Sequence, residues 1–525
     1  MGRRNFGRGI GVAAAVACAA VAVAGCGGSS SSSSASGGSA SSGGGGSTGS
    51  TGGTMVVANT SSVQKLNPVV MTNFLDFQAV GMIYQQLVTL NGSLQVEPQL
   101  ATSWKVGDGG KTVTFNLRHG VTFDDGSPLT SADVKATMQY IVKPSTGAAA
   151  ASYLASVKSV STPNKYTAVF NLSHPDSSLL FGLTSQNLSI LPSSAISANT
   201  LATKPDGTGP YEYASYSPNN SFTVKRNPKY WGPAPKIAGI DFKTIADEQS
   251  IASAMQAGTV QLGLLTQPQV TEQLPSNITV DKALDLNYRA LMIQSRGPLA
   301  NADARLAVQC AIDRRAVLQA AVLGGGKVVG PVPQGPFATD PNSGTCATQN
   351  VAQAKSYLAK AGDPNGFSFS VLTSEELDGT SNAQATTIQN QLSKVGIKMS
   401  IDNVAGSQYI QQWLKGKFQA ALAENGANPS PYIMYGRYFG AGASLAVPAG
   451  YSSPTLKSLL AQADASNSQA TQATLYRQFT GELTNNAVWV WLFNAYDYYA
   501  TSSNLQGFTP LPSGQLTGLA TASLS

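Results

Sequence analysis

The spacing of apolar residues predicts strands and helices in the first half of the chain. Apolar side chains recur at every second position from Tyr166 to Leu172, which is the period of a strand with one buried face. Thr130 followed by Asp133 is typical of a helix start, and the apolar residues after them recur on one helical face. Turn residues such as DDGSP at 124–128 separate these runs. The pattern predicts a strand-rich α+β unit.

A regular alternation of strands and helices follows farther along the chain. Strands are predicted at 367–371, 397–401 and 418–422, with helices at 383–395 and 407–415 between them. A glycine follows each helix and marks its end. This order implies βαβ crossovers and a largely parallel sheet that is covered on both faces. We therefore expect two unlike lobes with a cleft between them.

The first 26 residues have the pattern of an export signal. Arginines at positions 3, 4 and 8 precede a short apolar run that ends in VAGC at 23–26. The run is shorter than the ~20 apolar residues that cross a bilayer. The segment resembles a bacterial lipobox, with residues 1–25 as the signal peptide and Cys26 as the lipidated residue. The start also resembles a twin-arginine signal, but Gly7 stands where an apolar residue is preferred, so the export route stays open.

The segment at 26–53 is predicted to tether the protein. After Cys26 it contains only Gly, Ser, Ala and Thr, a composition that cannot bury apolar surface and behaves as a flexible linker. A lipid on Cys26 would hold the folded body at the outer face of the cytoplasmic membrane. We expect a lipid-anchored, extracytoplasmic protein.

The composition argues against a disordered protein and against a protein that binds nucleic acid. The chain has 525 residues with 42% hydrophobic and 11% charged residues, so it can fill ordinary cores and is not globally disordered. Its net charge is +6, and three of the positive charges belong to the export signal. The small remaining surplus gives no electrostatic footprint for nucleic acid.

Several motifs between residues 55 and 510 together resemble one known family. They are LATSW at 100–104, TVTFNLRHGVTFDDGSPLTSADV at 112–134, GTGPY at 207–211, RNPKYW at 226–231, AIDR at 311–314 and GYSSP at 450–454. In this order they resemble the signature of the family 5 extracellular solute-binding proteins. That family includes the peptide- and nickel-binding components of bacterial ABC importers.

The resemblance implies a fold and a division of the chain. The implied fold is α/β, a two-lobed periplasmic-binding-protein type II fold with a small inserted α+β subdomain and a cleft between the lobes. The expected regions are a first lobe at 54–290 with the inserted subdomain at about 100–200, a second α/β lobe at 291–487, and a return to the first lobe at 488–525.

The resemblance also implies a function. The protein is expected to capture a small solute, a peptide or another oligomer, and to deliver it as a monomer to ABC permease subunits that are driven by a separate ATPase. No catalysis and no cofactor are expected. The alternative is a secreted hydrolase acting on peptides or glycosides. Hydrolysis by a serine or cysteine usually needs a histidine base, and the two histidines, His119 and His174, are predicted to be surface or structural residues. No metal site is expected, because neither histidine has another nearby in sequence.

The solute itself is harder to predict. Peptide-binding members of the family carry an aspartate that pairs with the α-amine of the ligand. The corresponding stretch here is AENGANPSPY at 423–432, which places Asn428 or a neighbour at that position. An amide supplies no negative charge. We therefore expect a neutral solute unless Glu424 or Asp76 replaces the charge.

The expected ligand-binding residues come from five parts of the chain. They are Asn73, Phe74, Asp76, Gln294, Ser295, Trp413, Glu424, Asn425, Asn428 and Trp491. Gln294 and Ser295 are included because they follow a predicted hinge strand at 291–293. Trp413 has two open interpretations, a packed helix face or a stacking surface.

Cys310 and Cys346 are the two cysteines of the predicted folded body. Because an exported protein often meets oxidising conditions, we expect a disulfide between them. The alternative is a buried thiol at Cys310 and an unpaired one at Cys346.

Overall fold

The computed structural model describes residues 52–148, 150–426 and 428–525. The predicted signal peptide, the lipidation site at Cys26 and all but the last two residues of the tether lie outside this range. Across the described residues, no helix combines the length and the apolar composition needed to span a bilayer.

Strands and helices are distributed along the whole described chain. The strands are β1 (Thr54–Asn59), β2 (Val88–Leu90), β3 (Val96–Pro98), β4 (Ala101–Gly107), β5 (Thr112–Leu117), β6 (Val157–Asn164), β7 (Thr167–Leu172), β8 (Tyr211–Ser217), β9 (Ser221–Arg226), β10 (Gly239–Thr244), β11 (Leu262–Leu265), β12 (Ile278–Leu284), β13 (Tyr288–Ile293), β14 (Gly326–Val328), β15 (Ser368–Thr373), β16 (Lys398–Asn403), β17 (Ala420–Asn425), β18 (Trp489–Ser502), β19 (Leu505–Gln506) and β20 (Ser523–Leu524). The helices are α1 (Phe74–Ala79), α2 (Ser131–Ile141), α3 (Leu179–Gly182), α4 (Ser193–Ala198), α5 (Glu248–Gln256), α6 (Pro268–Thr271), α7 (Ala302–Ala311), α8 (Arg314–Val322), α9 (Val351–Ala361), α10 (Ser381–Ser393), α11 (Gly406–Leu414), α12 (Pro431–Phe439), α13 (Ala446–Ala449), α14 (Pro454–Asp464) and α15 (Gln469–Asn485).

A four-stranded antiparallel sheet, in the order β4-β5-β7-β6, forms a separate layer early in the chain. Its strand β7 confirms the strand predicted from the alternation before Leu172. The helix predicted after Thr130 is confirmed as α2, where Thr130 and Asp133 form a reciprocal capping box. Val134, Met138 and Ile141 of α2 are buried in the same core as this sheet.

The first lobe is centred on a mixed sheet. In it β1 pairs in parallel with both β10 and β11, and the antiparallel strands β9 and β8 extend it on the β10 side. A large apolar core joins this sheet to the four-stranded sheet, since Met55 and Phe115 belong to the same buried cluster.

The second lobe has the predicted βαβ order. Strands β15, β16 and β17 are parallel, and α10 and α11 connect them. Strand β13 adds antiparallel to β17. Separate buried clusters cover the two faces of this sheet, one with α7 and α10, the other with α12, α14 and α15. The predicted parallel sheet with both faces covered is therefore confirmed.

The chain crosses between the lobes at two neighbouring places. One crossing is the segment from Asp285 to Asn287, between β12 and β13. The other lies inside β18, where Phe493 pairs with β13 and Tyr496 pairs with β12. A single twelve-stranded sheet results, because β18 pairs with strands of both lobes.

A disulfide joins Cys310 and Cys346, whose Cα atoms are 4.9 Å apart. It connects α7 to the loop that precedes α9. Cys310 is fully buried among the apolar side chains of the second lobe.

We predict that this bridge stabilises the second lobe. Its two cysteines are 36 residues apart, and closing a loop of that length stabilises by about 3 to 4 kcal/mol through the entropy of the unfolded chain. Urea unfolding of the wild-type protein should show a loss of that size on reduction. The double variant Cys310→Ala/Cys346→Ala should be equally stable with and without reductant. Reduction that exposes two thiols yet leaves wild-type stability unchanged would contradict the prediction.

Candidate functional site

Three recesses lie next to the chain crossings. The interlobe recess, of about 260 Å³, is bounded by the first-lobe residues Phe74 and Tyr153, the crossing residue Leu286, and the second-lobe residues Asn428 and Pro429. It thus contacts both lobes and the connection between them. Clefts of this kind are the usual place for a small ligand.

The second-lobe recess, of about 470 Å³, lies at the carboxyl ends of β15 and β17. Asp378 follows β15, and Glu424 and Asn425 end β17. Ligands of α/β proteins commonly bind at the carboxyl ends of parallel strands, because the connecting loops leave a crevice there. Tyr409, Ile410 and Trp413 of α11 add an apolar wall.

The third recess, the first-lobe recess, has a volume of about 150 Å³ and is lined by residues of α1, β11 and β18. Phe74 and Gln78 line both this recess and the interlobe recess. The Phe74 ring is 48% exposed, and Gly514 lies so close to it that a Cβ at that position would collide with the ring. A glycine at 514 therefore keeps this aromatic surface open.

A cluster of charged side chains lies at the crossings. The guanidinium of Arg289 on β13 is 3.2 Å from Glu424, 3.6 Å from Asp285 and 3.7 Å from Asp378. Asn287 also donates to Glu424 at 3.0 Å. These partners come from one crossing, from the end of β17 and from the loop after β15, so the cluster connects the crossing to the second-lobe recess.

The pKa values in this cluster reflect burial and mutual attraction. Burial by itself lowers the pKa of Arg289, but the attraction of Glu424, Asp285 and Asp378 outweighs it and raises the pKa above its ordinary value. Burial raises the pKa of Asp285 to about 8, and Arg289 opposes that shift. Burial likewise raises the pKa of Asp497, on the second crossing, to about 6.

Several predicted ligand-binding residues line these recesses. Phe74 and Asn428 line the interlobe recess, and Trp413, Glu424 and Asn425 line the second-lobe recess. The side-chain oxygens of Asn428 and Asn425 already accept hydrogen bonds from other groups of the protein. The Asn428 Oδ1 accepts from the Ser430 backbone N–H at 2.9 Å, and the Asn425 Oδ1 accepts from the Tyr438 hydroxyl at 2.8 Å.

Trp413 packs against the second lobe and also lines a recess. Its Nε1 donates to the Met292 sulfur at 3.4 Å and its ring stands edge-on to Tyr438, so it packs on the second lobe. The half-buried side chain also lines the second-lobe recess.

Asn73 and Asp76 have structural contacts at α1 instead of facing a recess. The Asn73 Oδ1 caps α1 by accepting from the Leu75 N–H at 2.9 Å. Asp76 is fully buried, its Oδ1 accepts from the Gln64 N–H at 2.6 Å, and burial raises its pKa. Neither residue lines any of the three recesses, so the structure gives no support to a contact between them and the solute.

Gln294 and Ser295 lie at the wrong end of β13 for a ligand contact. The Gln294 amide donates to the carbonyl oxygens of Val447 and Pro448, and the Ser295 N–H donates to Gly450. The chain crosses between the lobes before Tyr288 and not after Ile293. Neither residue lines any of the three recesses, so the structure gives no support to the expectation that was based on a hinge strand at 291–293.

Trp491 is a core residue. It is 3% exposed, and its Nε1 donates to the Tyr435 hydroxyl at 2.8 Å. Its strand β18 is an inner strand with both faces covered, which leaves no surface on which a ligand can stack. The structure gives no support to the expectation that Trp491 contacts the solute.

Sequence reasoning missed much of the charged cluster. Arg289, Asp285, Asp378 and Asp497 were not among the expected residues. A signal for two of them is present, since Arg289 interrupts the apolar run at 288–293 and Asp497 interrupts the aromatic run of β18. A charge within an otherwise buried strand needs partners, and such partners are often functional.

Comparison with known proteins agrees with this geometry. The family model for bacterial extracellular solute-binding proteins, family 5 Middle, matches residues 95–445. The chain is 24% identical over 474 residues to the probable D,D-dipeptide-binding periplasmic protein DdpA of Escherichia coli, covering 86% of this chain and 91% of that one. It is 26% identical over 479 residues to the glutathione-binding protein GsiB of Escherichia coli, covering 87% and 92%.

A solved structure has the same fold over nearly its whole length. The periplasmic binding protein DppA of Helicobacter pylori, in complex with the peptide STSA, superposes with a TM-score of 0.74 at 25% identity. The match covers 90% of this chain and 98% of that one. The two-lobed periplasmic-binding fold is therefore confirmed.

We predict that Arg289 stabilises the crossing. Arg289→Leu removes the one guanidinium among several buried carboxylates and should cost about 3 to 5 kcal/mol of unfolding free energy at pH 7. The loss should shrink toward pH 5. Without the guanidinium, the buried carboxyls bind protons more tightly in the folded than in the unfolded chain, so folding is favoured as pH falls.

Urea unfolding at both pH values measures this effect. Arg315→Leu, which removes an exposed arginine of α8, is the matched control and should change stability by no more than about 0.5 kcal/mol. Equal losses for the two variants would show that the carboxylates do not need Arg289.

Proposed function

Because the chain belongs to the family 5 bacterial extracellular solute-binding proteins, which capture a solute for an ABC importer, we propose that its solute is a short peptide or peptide-like molecule with a protonated amine. Two related proteins are described as binding a D,D-dipeptide and glutathione, and the Helicobacter pylori structure holds the peptide STSA. All three solutes are peptides, which supports a peptide-like solute for this chain.

The position of Glu424 carries the proposal. Its carboxylate lies in the second-lobe recess at the carboxyl end of β17, with a side chain that is 27% exposed. Arg289 is shared with Asp285 and Asp378. The two carboxyl groups that line this recess, Asp378 and Glu424, therefore share one guanidinium, and a cation from the solute would balance the second of them. This favours the expectation in which Glu424 replaces the missing aspartate over the expectation of a neutral solute.

The rest of the recess suits the body of a peptide. Next to Glu424, Leu377, Ile410 and Trp413 form an apolar wall that fits a side chain of the solute. The exposed guanidinium of Arg437 lies beyond Gly426, to whose carbonyl oxygen it donates at 3.2 Å. We propose Arg437 as the partner of the solute's carboxylate, since its other contact is the face of the Tyr438 ring.

We propose that the crossings at 285–287 and in β18 act as the hinge between two lobes. The first lobe ends with β12 and resumes at Tyr496, and the second lobe extends from β13 to Phe493, so the expected bounds at 290 and 488 lie a few residues from these crossings. Closure over the solute would bring Phe74 and Gly514 of one lobe toward the second-lobe recess. A closed form differs in shape from an open one, and a permease can distinguish the two. The protein would do this as a monomer.

We propose binding without catalysis. His119 stacks on Tyr166, and the His174 ring is exposed with its Nδ1 3.0 Å from the Pro175 carbonyl oxygen. Neither histidine lines any of the three recesses. Among the described residues, no group of three or more His, Cys, Asp or Glu could hold a metal ion. These observations give no support to the alternative of a secreted hydrolase.

We also propose that the protein is a lipoprotein held outside the cytoplasmic membrane. The support is the lipobox pattern that ends at Cys26 and the Gly/Ser-rich tether behind it. A tether of this composition would let the folded body move relative to its lipid anchor.

We predict that amine recognition depends on Glu424. Isothermal titration of the protein with the peptide STSA and with short peptides of varied side chains should detect binding that N-acetylation weakens by at least tenfold. Glu424→Gln should weaken binding of the free peptides by about 1.5 to 3 kcal/mol, because it removes a charge-assisted hydrogen bond. Low salt should strengthen wild-type binding.

The matched control is Glu375→Gln. Glu375 is an exposed carboxylate near the same recess but does not line it, so this variant should bind like the wild type. A peptide with an amidated carboxyl end tests Arg437 in the same titration. Equal binding of free and acetylated peptides would refute the amine proposal, and no binding of any peptide would refute the peptide class.

Lipidation has its own test. We predict that expression in a bacterial host gives a mature chain that begins at Cys26 and carries lipid, and that Cys26→Ala releases the protein from membranes or leaves it uncleaved. Mass spectrometry of the membrane fraction measures both. A mature, membrane-bound chain with an unmodified Cys26 would contradict the proposal.

A further inference from the structure

The two lobes meet at a second place, away from the crossing strands. The loop after β7, on the four-stranded sheet, contacts the carboxyl end of α14 in the second lobe. The Ser177 N–H donates to the Asp464 carbonyl oxygen at 2.9 Å, and the Ser178 N–H donates to the Asp464 Oδ1 at 3.2 Å. Nearby, Phe181 packs against Phe337 of the second lobe, with ring centroids 6.3 Å apart.

Two carboxyl groups come together in this contact. The Ser178 N–H that reaches Asp464 also donates to the Asp176 Oδ1, at 2.9 Å. One N–H thus donates hydrogen bonds to an aspartate of each lobe, so the two carboxyl groups lie close together. Asp464 is 3% exposed.

The two aspartates have different surroundings. Asp176 accepts from the Ser178 hydroxyl at 2.6 Å, the Leu179 N–H at 3.0 Å and the Ser156 hydroxyl at 2.5 Å. Asp464 is the more deeply buried of the two, and its Oδ1 accepts from the shared Ser178 N–H. Because burial disfavours the charged form of a carboxyl, and a neighbouring carboxyl adds to that effect, the pKa of Asp464 is raised.

No cation compensates this pair. None of the ion pairs between described residues includes Asp176 or Asp464. The other titratable groups that face Asp464 are the phenols of Tyr432 and Tyr476, which are neutral at ordinary pH. His174 lies two residues before Asp176, and its exposed ring contacts the Pro175 carbonyl oxygen.

We propose that Asp176 and Asp464 form a proton-dependent latch: one proton held between the two carboxyls keeps the lobes in contact, and loss of that proton separates them. The latch is distinct from solute binding and does not rest on the proposed solute. It would couple closure of the cleft to the pH outside the membrane.

The direction of the pH effect follows from linkage. Burial, followed by the charge of Asp176, raises the pKa of Asp464 in this contact to about 8. When the lobes separate, Asp464 becomes exposed and its pKa returns to about 4. The closed form therefore binds the proton more tightly. Between these two values, each unit by which pH falls raises the ratio of closed to open protein by up to tenfold.

Small-angle X-ray scattering of the solute-free protein from pH 6 to pH 9 tests the latch. Fitting each curve to closed and open forms gives their ratio, which should fall about tenfold from pH 7 to pH 9. Asp464→Asn keeps the shape and the acceptor but cannot ionise, so its ratio should change by less than twofold. Asp281→Asn, at an exposed aspartate of β12, is the matched control and should behave like the wild type.

A second variant keeps the test decisive if Asp464→Asn fails to fold. Asp176→Asn removes the neighbouring charge, so the transition should move to lower pH. Wild-type scattering that is the same at pH 7 and pH 9 would overturn the latch. So would a transition that both Asp→Asn variants of the pair retain unchanged.

Discussion

The backbone hydrogen bonds of β18 are the interaction on which both lobes depend. In the second lobe its residues 489–493 pair with β13 and its residues 493–495 with β14, and in the first lobe its residues 498–501 lie between β11 and β12. An inner strand has both of its edges paired, so neither sheet can lose β18 without leaving open edges. Because the same strand also forms a crossing, the connection between the lobes is short and hydrogen-bonded on both sides. Relative motion of the lobes must therefore take the form of bending at this point, not of sliding.

The charged cluster lies where this bending would occur, and burying charged groups there lowers the stability of the fold. Asp285 and Asp497 lie on the two crossings, and burial raises the pKa of both. Buried charges of this kind stabilise a fold less than apolar side chains of similar volume would. Their presence fits a protein in which the crossing also serves recognition, since the same Arg289 contacts Asp285 at the hinge and Glu424 in the recess. A change of charge in the recess would therefore change the electrostatic interaction of Arg289 with Asp285 at the hinge.

The sequence predicted the parts of the fold that depend on local pattern. The period of two in β7, the capping pair of α2 and the strand-helix order from β15 to β17 all involve residues close together in the chain. It could not predict which end of β13 faces the cleft, because periodicity identifies a strand but not its direction in the sheet. Gln294 and Ser295 were misplaced for that reason. The aromatic run of β18 has the same appearance whether the strand pairs within one lobe or within two, so Trp491 was expected to contact the solute although it is buried.

The late position of β18 in the chain has a consequence for folding order. The contacts of β18 with the first lobe are far apart in sequence, and the bond from Ser502 to Gln261 spans 241 residues. Contacts of such length form slowly, because the intervening chain must first be brought together. The second-lobe strands β15 to β17 can pair soon after they are made, whereas the first-lobe sheet, which begins at residue 54, lacks an inner strand until the last tenth of the chain has emerged. A polypeptide released before residue 489 would leave unpaired strand edges in both lobes. The native sheet can therefore form completely only after β18 has been synthesised.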